Sequence, residues 1–153
     1  MPSASLTSLA AAVLRVPGSP ERILEIECGD GEGVLFLARE YPSARVRGVD
    51  RSEERIREAV ARIGLDPEGR VAFKPGRGRS LPYPDDFFDL VAQVGGRLHP
   101  RELARVLRPG GHLILVGWSK WPHRRLGRRR FALIEAGEAG GEPFALAQLA
   151  GGD

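Results

Sequence analysis

The first apolar residues of the chain repeat with the period of an α-helix. From Leu6 to Leu14, leucine, alanine and valine fall at i, i+3, i+4, i+7 and i+8, so one side of a helix would be apolar. Pro17 and Gly18 follow this pattern, and both residue types are typical of a helix end. We therefore predict an amphipathic helix over residues 3–16 that packs on the segments after it.

Short apolar segments of strand length then alternate with amphipathic helical segments. The predicted strands are 22–27, 45–50, 71–74, 88–94 and 112–118, and the predicted helices begin at residues 34, 52 and 100. The last of these strands, HLILVGW, is almost continuously apolar, as expected for a strand buried on both faces. The alternation predicts an α/β fold with an open, mostly parallel sheet and helices on both of its faces.

The C-terminal region has a different pattern. Two apolar segments, 131–136 and 144–149, flank a glycine-rich and acidic segment at 137–142. This arrangement is typical of an antiparallel hairpin, which we place within 129–150. A chain of 153 residues has the length of one ordinary domain, so we expect a single domain over 1–153 with its core in 20–118.

Composition narrows the function classes. The chain is 42% hydrophobic and 28% charged, which is typical of a folded globular domain. No apolar segment approaches the ~20 residues needed to cross a bilayer, and the N-terminus lacks the positive start of a secretory signal. Cys28 is the single cysteine, so a cytoplasmic location is the expectation. One cysteine and three scattered histidines predict no metal site.

One strongly basic segment interrupts this ordinary composition. Residues 120–130 contain six cationic side chains and no acid. We favour a solvated loop before the hairpin. The alternative is contact with nucleic acid, in which aromatic residues near the segment would stack on bases. The arginines that would then bind phosphates are Arg124, Arg125, Arg128, Arg129 and Arg130.

A glycine-rich turn follows the first predicted strand, in the sequence ILEIECGDGEG at residues 23–33. Gly29, Gly31 and Gly33 have no Cβ, so the backbone can turn sharply and a ligand can lie against bare peptide groups. The same glycines could instead serve only the close packing of helix on sheet. The turn by itself leaves both interpretations open.

The charges around the turn favour a cationic ligand. A dinucleotide pyrophosphate would lie beside Glu27, Asp30 and Glu32, and each close pair of like charges costs about 1 kcal/mol even in bulk water. The spacing is also Gly-x-Gly-x-Gly and not the Gly-x-Gly-x-x-Gly of dinucleotide-binding proteins. A ligand with an ammonium and a sulfonium group would be attracted to these acids.

Asp50 ends the second predicted strand, at the sheet edge that also carries the glycine turn. Its carboxylate could accept hydrogen bonds from both hydroxyls of a ribose. The alternative is a cap for the following helix, but Ser52 is well suited to that role. We therefore favour a ribose-binding role for Asp50.

Four sequence segments in this order resemble the class I S-adenosylmethionine-dependent methyltransferases, particularly the compact ones that act on small molecules. They are ILEIECGDGEG, VRGVD, SLPYPDDFFDLV and LARVLRPGGHLILV, and the resemblance covers about residues 20–118. It implies a Rossmann-like, seven-stranded sheet that the C-terminal hairpin completes. It also implies S-adenosylmethionine as the cofactor and methyl transfer to an acceptor that the sequence does not identify.

The resemblance also assigns a set of residues to the cofactor site. They are Glu25, Glu27, Cys28, Gly29, Gly31, Asp50, Arg51, Arg77, Gly78 and Gln93. Glu25 would lie beneath the methionine portion of the cofactor, and Asp50 would hold the ribose. Arg51 and Arg77 would lie near the adenine, and Gln93 would close the pocket.

Three features depart from the family pattern. Glu27 stands where the family usually has glycine, so its carboxylate either binds the cofactor ammonium or obstructs the pocket. Arg77 replaces an acidic residue that often lies near the adenine. The segment 95–99 is short and contains no lid, so the N-terminal helix, a second subunit of a homo-oligomer or the substrate itself would have to cover the site.

The expected reaction needs few catalytic groups, because the sulfonium is already an activated electrophile and alignment can supply much of the rate. His99 is a candidate base for the acceptor, although we favour a role for it only as a helix-starting residue. A small molecule is the expected acceptor, since QVGG at 93–96 lacks the motif of enzymes that methylate amino groups of nucleic acids. The alternatives are a catalytically inactive binding or assembly module and an RNA-binding protein.

Overall fold

A computed structural model describes residues 4–64 and 66–152 of the chain. Its helices are α1 Ala4–Val13, α2 Glu32–Glu40, α3 Glu53–Ile63, α4 Pro100–Val106 and α5 His123–Gly127. Its strands are β1 Arg22–Ile26, β2 Arg45–Asp50, β3 Val71–Pro75, β4 Phe88–Val94, β5 Leu107–Val116, β6 Phe131–Ala139 and β7 Glu142–Leu149. The seven strands form one sheet in the order β3-β2-β1-β4-β5-β7-β6.

The sheet has the predicted mixed character. The first five strands pair in parallel, whereas β7 lies antiparallel between β5 and β6. The predictions of an open, mostly parallel sheet and of a C-terminal antiparallel hairpin are therefore confirmed. The strand order reverses around β1, which pairs with β2 on one side and β4 on the other, and ligands of such sheets bind at this switch point.

Helices cover both faces of the sheet and enclose two apolar clusters. On one face, Leu9 of α1, Leu37 of α2 and Ile56 of α3 are buried together. On the other face, Leu103 of α4 and Leu126 of α5 belong to a second buried cluster. No helix among the described residues is long and apolar enough to cross a membrane.

The N-terminal helix is shorter than the predicted 3–16. Residues 1–3 lie outside the described residues, and the helix ends at Val13. The backbone then tightens, because the amides of Arg15 and Val16 donate to carbonyls only three residues earlier. Leu14 consequently leaves the apolar face and is 81% exposed.

The fifth strand begins at Leu107, five residues before the predicted start at His112. The predicted turn Arg108–Gly111 instead runs beside β4, with Leu107 opposite Phe88 and a register shift before Leu90. An irregularity of this kind lets a Pro-Gly-Gly segment stay within the sheet.

The hairpin turn is tighter than predicted, because most of the predicted loop 137–142 belongs to strands. Gly137 pairs with Phe144, and a Cβ at this glycine would lie 2.8 Å from Cζ of the phenylalanine ring. Only Gly140 and Gly141 remain in the turn, both with positive φ. A two-residue turn with this backbone matches the twist of paired strands.

The basic segment contains the short helix α5, so the prediction of a loop was wrong for residues 123–127, whereas the cationic side chains are exposed as predicted. Leu126 is fully buried and attaches this short helix to the core. One apolar residue in five gives no periodicity, which is why the helix was missed. Trp118 and Trp121 pack against the same apolar cluster, and Phe131 is buried within it.

The fold predicts a difference between two glycines that both have positive φ. A Cβ at Gly31 would lie 3.0 Å from Cζ of Phe73 and 3.1 Å from Cβ of Ala59, whereas one at Gly18 would have no neighbour within 4 Å. Gly18→Ala should cost about 1–2 kcal/mol of stability for the backbone conformation alone. Gly31→Ala should cost about 1–3 kcal/mol more because of the added crowding. Denaturant unfolding measures both, and equal losses would contradict this packing.

Candidate functional site

The glycine turn connects β1 to α2 at the carboxyl edge of the sheet. The amide of Cys28 donates to the carbonyl of Val49 at 3.1 Å, and the amide of Gly31 donates back to the carbonyl of Cys28 at 3.0 Å. Gly29 and Gly31 both have positive φ, and Gly31 is the N-cap residue of α2. Glycine is favoured at these positions because other residues are strained there.

Asp50 joins this turn to the end of β2. Its Oδ2 accepts a hydrogen bond from the amide of Gly29, and its Oδ1 accepts one from the amide of Ser52, both at 2.9 Å. The cap of α3 is Ser52, whose Oγ accepts from the amide of Arg55 at 3.2 Å. The alternative role of Asp50 as the helix cap is therefore wrong.

Glu25 is a buried carboxyl group at the centre of this edge, only 3% exposed. Its Oε1 has no hydrogen-bond partner, and a Cβ on Gly33 would lie 2.5 Å from Oε2. Burial, followed by the charges of Asp30, Glu32 and Asp50, raises the pKa of Glu25 to about 8. A buried polar atom without a partner costs about 1–3 kcal/mol, which a ligand could recover.

A cavity of about 170 Å³, here the inner cavity, opens beside Glu25. Helix α1 covers it with Ser5, Leu6 and Leu9. The carboxylates in its wall belong to Glu25, Glu27, Asp30 and Glu32, and its one guanidinium belongs to Arg55. This charge pattern suits a ligand whose end carries both an ammonium and a carboxylate group.

A second cavity of about 180 Å³, here the outer cavity, continues on the other side of Glu27. Its other lining residues are Arg51, Arg77, Gly78, Arg79, Arg97 and His99. Each cavity is smaller than the ~300 Å³ typical of the smallest ligand sites, but together they reach that size. Glu27 is thus a residue of the wall that the two cavities share.

Glu27 has an unusual backbone, with a φ of 61° that favours glycine. Its side chain lies against Gly96, where a Cβ would be 2.9 Å from Cγ of Glu27. The glycine after β4 therefore leaves room for a glutamate at the position where glycine was expected.

The structure does not bring every predicted site residue to a cavity wall. Asp50 is 7% exposed and lines neither cavity. Gln93 is buried, and its Nε2 donates to the carbonyls of Gly95 and Arg97 at 3.0 and 2.9 Å. Both side chains bond to backbone groups at this edge of the sheet.

Cys28 and His99 differ in what they could do chemically. Burial and the nearby charges of Glu25 and Asp50 raise the pKa of the Cys28 thiol, so it is a poor nucleophile. His99 is the N-cap residue of α4 without a side-chain capping bond. Its ring lies at the outer cavity against Gly78, where a Cβ would be 3.1 Å from Cδ2.

Sequence reasoning missed Arg55. A Cβ on Gly29 would lie 2.7 Å from Nη1 of Arg55, so this guanidinium faces the glycine turn. Its place three residues after the Ser52 cap was visible in the sequence, but nothing there showed that it turns back toward β1. Helix α1, one of the three covers considered from the sequence, lines the inner cavity.

Comparison with known proteins finds that the relatives of this chain are methyltransferases. A family model described as a methyltransferase domain matches residues 23–111. The fatty-acid O-methyltransferase of Mycolicibacterium smegmatis is 37% identical over 101 residues, which are 61% of this chain and 36% of that protein. The ubiquinone/menaquinone biosynthesis C-methyltransferase UbiE of Geobacter sulfurreducens is 31% identical over 120 residues, 72% of this chain and 46% of that protein. The chain spans less than half the length of these two relatives.

Solved structures share the fold at low identity. The crystal structure of a SAM-dependent methyltransferase from Aquifex aeolicus superposes with a TM-score of 0.75 and 21% identity, covering 97% of this chain and 93% of that one. The predicted Rossmann-like, seven-stranded architecture is therefore confirmed.

The raised pKa of Glu25 predicts a pH-dependent stability. Between the ordinary value of 4.5 and about 8, the folded chain holds a proton on Glu25 that the unfolded chain has released. The stabilising contribution is therefore complete below pH 4.5 and is lost as the pH rises through about 8. Glu25→Gln has no proton to release, so it should not lose stability over this pH range. The free energy of unfolding of the variant minus that of the natural chain should therefore be roughly 1–3 kcal/mol larger at alkaline pH than at acidic pH.

Thermal unfolding followed across this pH range measures the effect. Glu58→Gln, on the exposed surface of α3, is the matched control and should follow the natural chain at every pH. Parallel curves for Glu25→Gln and the natural chain would contradict the assignment.

Proposed function

Because the chain belongs to the class I S-adenosylmethionine-dependent methyltransferase family, we propose that it binds S-adenosylmethionine and transfers the methyl group to a small molecule. The observation that carries this proposal is the inner cavity, where three carboxylates and one guanidinium lie beside the buried carboxyl group of Glu25, which has an unpartnered oxygen. The relatives named above act, by their names, on fatty acids and in quinone biosynthesis, which supports a small acceptor.

The inner cavity fits the amino-acid end of the cofactor. Its acidic groups would attract the ammonium and the sulfonium, and Arg55 would bind the carboxylate with charge-assisted hydrogen bonds. Glu25 is the buried member of the acidic residues that line this cavity, and its Oε1 has no hydrogen bond. Gly33 keeps the space beside that carboxyl group free of a Cβ.

The outer cavity fits the nucleoside end. Asp50 already accepts two backbone hydrogen bonds, but each carboxylate oxygen has a second lone pair that could accept from a ribose hydroxyl. Arg51 and Arg77 line this cavity, and their guanidinium groups could donate to the adenine or stack on it. Glu27 lies where the two ends of the ligand would meet.

The protein would contribute to the reaction by positioning the reactants and by excluding water from the site. When bound, S-adenosylmethionine would supply an electrophilic methyl group: its carbon would bond to the nucleophile of the acceptor while the C–S bond breaks and its electron pair stays on the sulfur as a neutral thioether. Helix α1 covers the inner cavity with two leucines, which limits access of water from that side. His99 lines the outer cavity and not the inner one, so we assign it no role as a base. Alignment of the reactants is then the main source of rate.

A module that has lost catalysis is the second candidate. The position of Glu27 in the wall between the two cavities favours it, because a glutamate that blocks the passage would keep a long ligand from occupying both. An RNA-binding role gains less support, because the tryptophans of the basic segment pack against the core. Cofactor binding separates the first two candidates.

Calorimetry with S-adenosylmethionine tests the proposal directly. The natural chain should bind it, and Asp50→Asn should weaken binding at least tenfold, about 1.4 kcal/mol. Asp50→Ala should weaken it similarly. It should also lower the unfolding temperature more than Asp50→Asn does, because asparagine leaves one of the two backbone amides without an acceptor and alanine leaves both. Asp66→Asn is the control, since Asp66 also accepts a backbone hydrogen bond, from Val71, away from the cavities. No heat at millimolar cofactor would refute binding.

Two substitutions at position 27 decide what this glutamate does. If its carboxylate holds the ammonium, as we propose, Glu27→Gln should weaken cofactor binding about tenfold at nearly constant size. Glu27→Gly should weaken binding as well, while relieving the backbone strain and raising stability by about 1 kcal/mol. Tighter binding by the glycine variant would show instead that Glu27 obstructs the site.

A further inference from the structure

A cavity of about 660 Å³ lies apart from the inner cavity, on the face that carries α4 and α5. Six arginines line it, of which Arg105 is paired with acidic side chains. The other five come from three segments and are Arg79, Arg101, Arg125, Arg128 and Arg129. We name it the arginine cavity. We propose that it binds a small molecule that carries two or more negative charges as phosphate or carboxylate groups.

The acid in the cavity wall does not neutralise these arginines. Glu102 is bonded to Arg105, with Nε to Oε2 at 2.7 Å and Nη2 to Oε1 at 3.0 Å. Arg105 also donates to Asp85 at 2.9 Å. Within residues 4–64 and 66–152, by contrast, none of the other five arginines of the cavity forms an ion pair. The wall therefore has an excess of positive charge that a bound anion would offset.

The cationic groups are carried by elements attached to the core. Leu126 is fully buried, which holds α5 and the arginines around it on the sheet. Nη2 of Arg125 donates to the carbonyl of Leu98 at 2.9 Å, so this side chain is oriented across the start of α4. For Arg125, part of the entropic cost of ordering the side chain for a ligand is therefore already met.

The chemistry of the wall selects the class of ligand. The guanidinium fork matches two oxygens of a phosphate or a carboxylate, and the volume lies within the ~300–1,000 Å³ of small-molecule sites. Single-stranded nucleic acid would require aromatic side chains on which bases stack. His99 is the one aromatic side chain in the lining, and Trp118 and Trp121 pack against the apolar cluster. A small anion is therefore favoured over RNA.

Calorimetric titration of the full chain with inorganic pyrophosphate and, separately, with citrate tests this site. At least one should bind, and the tighter of the two identifies phosphate or carboxylate as the preferred group. The triple variant Arg125→Gln, Arg128→Gln, Arg129→Gln should lose at least tenfold in affinity. Arg101→Gln removes a charge that α4 contributes to the lining, without breaking any bond named here, and it should also weaken binding.

The control variant loses the same number of positive charges as the triple variant, but at positions outside the arginine cavity. Arg39→Gln, Arg45→Gln, Arg57→Gln replaces three exposed arginines outside the cavity and should bind the anion as the natural chain does. Equal losses in both triple variants would show attraction by net charge only and would overturn the site. So would absence of binding for both anions, or tighter binding of a single-stranded RNA that the cavity variant abolishes.

This inference does not depend on methyl transfer. The arginine cavity shares Arg79 and His99 with the outer cavity but no residue with the inner one. S-adenosylmethionine binding, measured in the variant of Arg125, Arg128 and Arg129, should be unchanged. Failure of the anion experiment would therefore leave the cofactor experiment unaffected, and the reverse also holds.

Discussion

The hydrogen bonds of one carboxylate organise the whole carboxyl edge of the sheet. Asp50 accepts from the amides of Gly29 and Ser52, and so joins the turn after β1 to the start of α3. Ser52 can then cap α3, which places Arg55 over Gly29. The glycine turn, the following helix and the cation of the inner cavity thus depend on a single side chain at the end of β2.

The second organising feature is the separation of charge. The net charge is only +3, yet the inner cavity has four carboxylates in its wall and the arginine cavity has five cations without an acidic partner among the described residues. Placing these acidic side chains close together costs free energy when no ligand is bound, as the raised pKa of Glu25 shows. Groups held at such a cost are typical of functional sites, and the two cavities would select ligand groups of opposite charge.

Particular residues show how far the sequence could predict the fold. The pattern of apolar residues was sufficient to predict where the parallel strands lie, because strands buried on both faces of a sheet consist mostly of apolar residues. Element ends were less predictable: β5 starts early because it pairs with β4, and β6 continues through Gly137 because Phe144 packs on it. Helix α5 was missed because a single buried leucine holds it in place.

For the site, sequence patterns were enough to place Glu25, Glu27, Asp50 and the glycine turn at one edge of the sheet, since the ends of adjacent parallel strands share that edge. The roles of these residues became visible in the folded structure. It showed that Asp50 bonds to backbone amides, that Arg55 turns back over the glycine turn, and that the basic segment lines a cavity with Arg79 and Arg101. These outcomes depend on contacts between residues far apart in the chain, which no local pattern encodes.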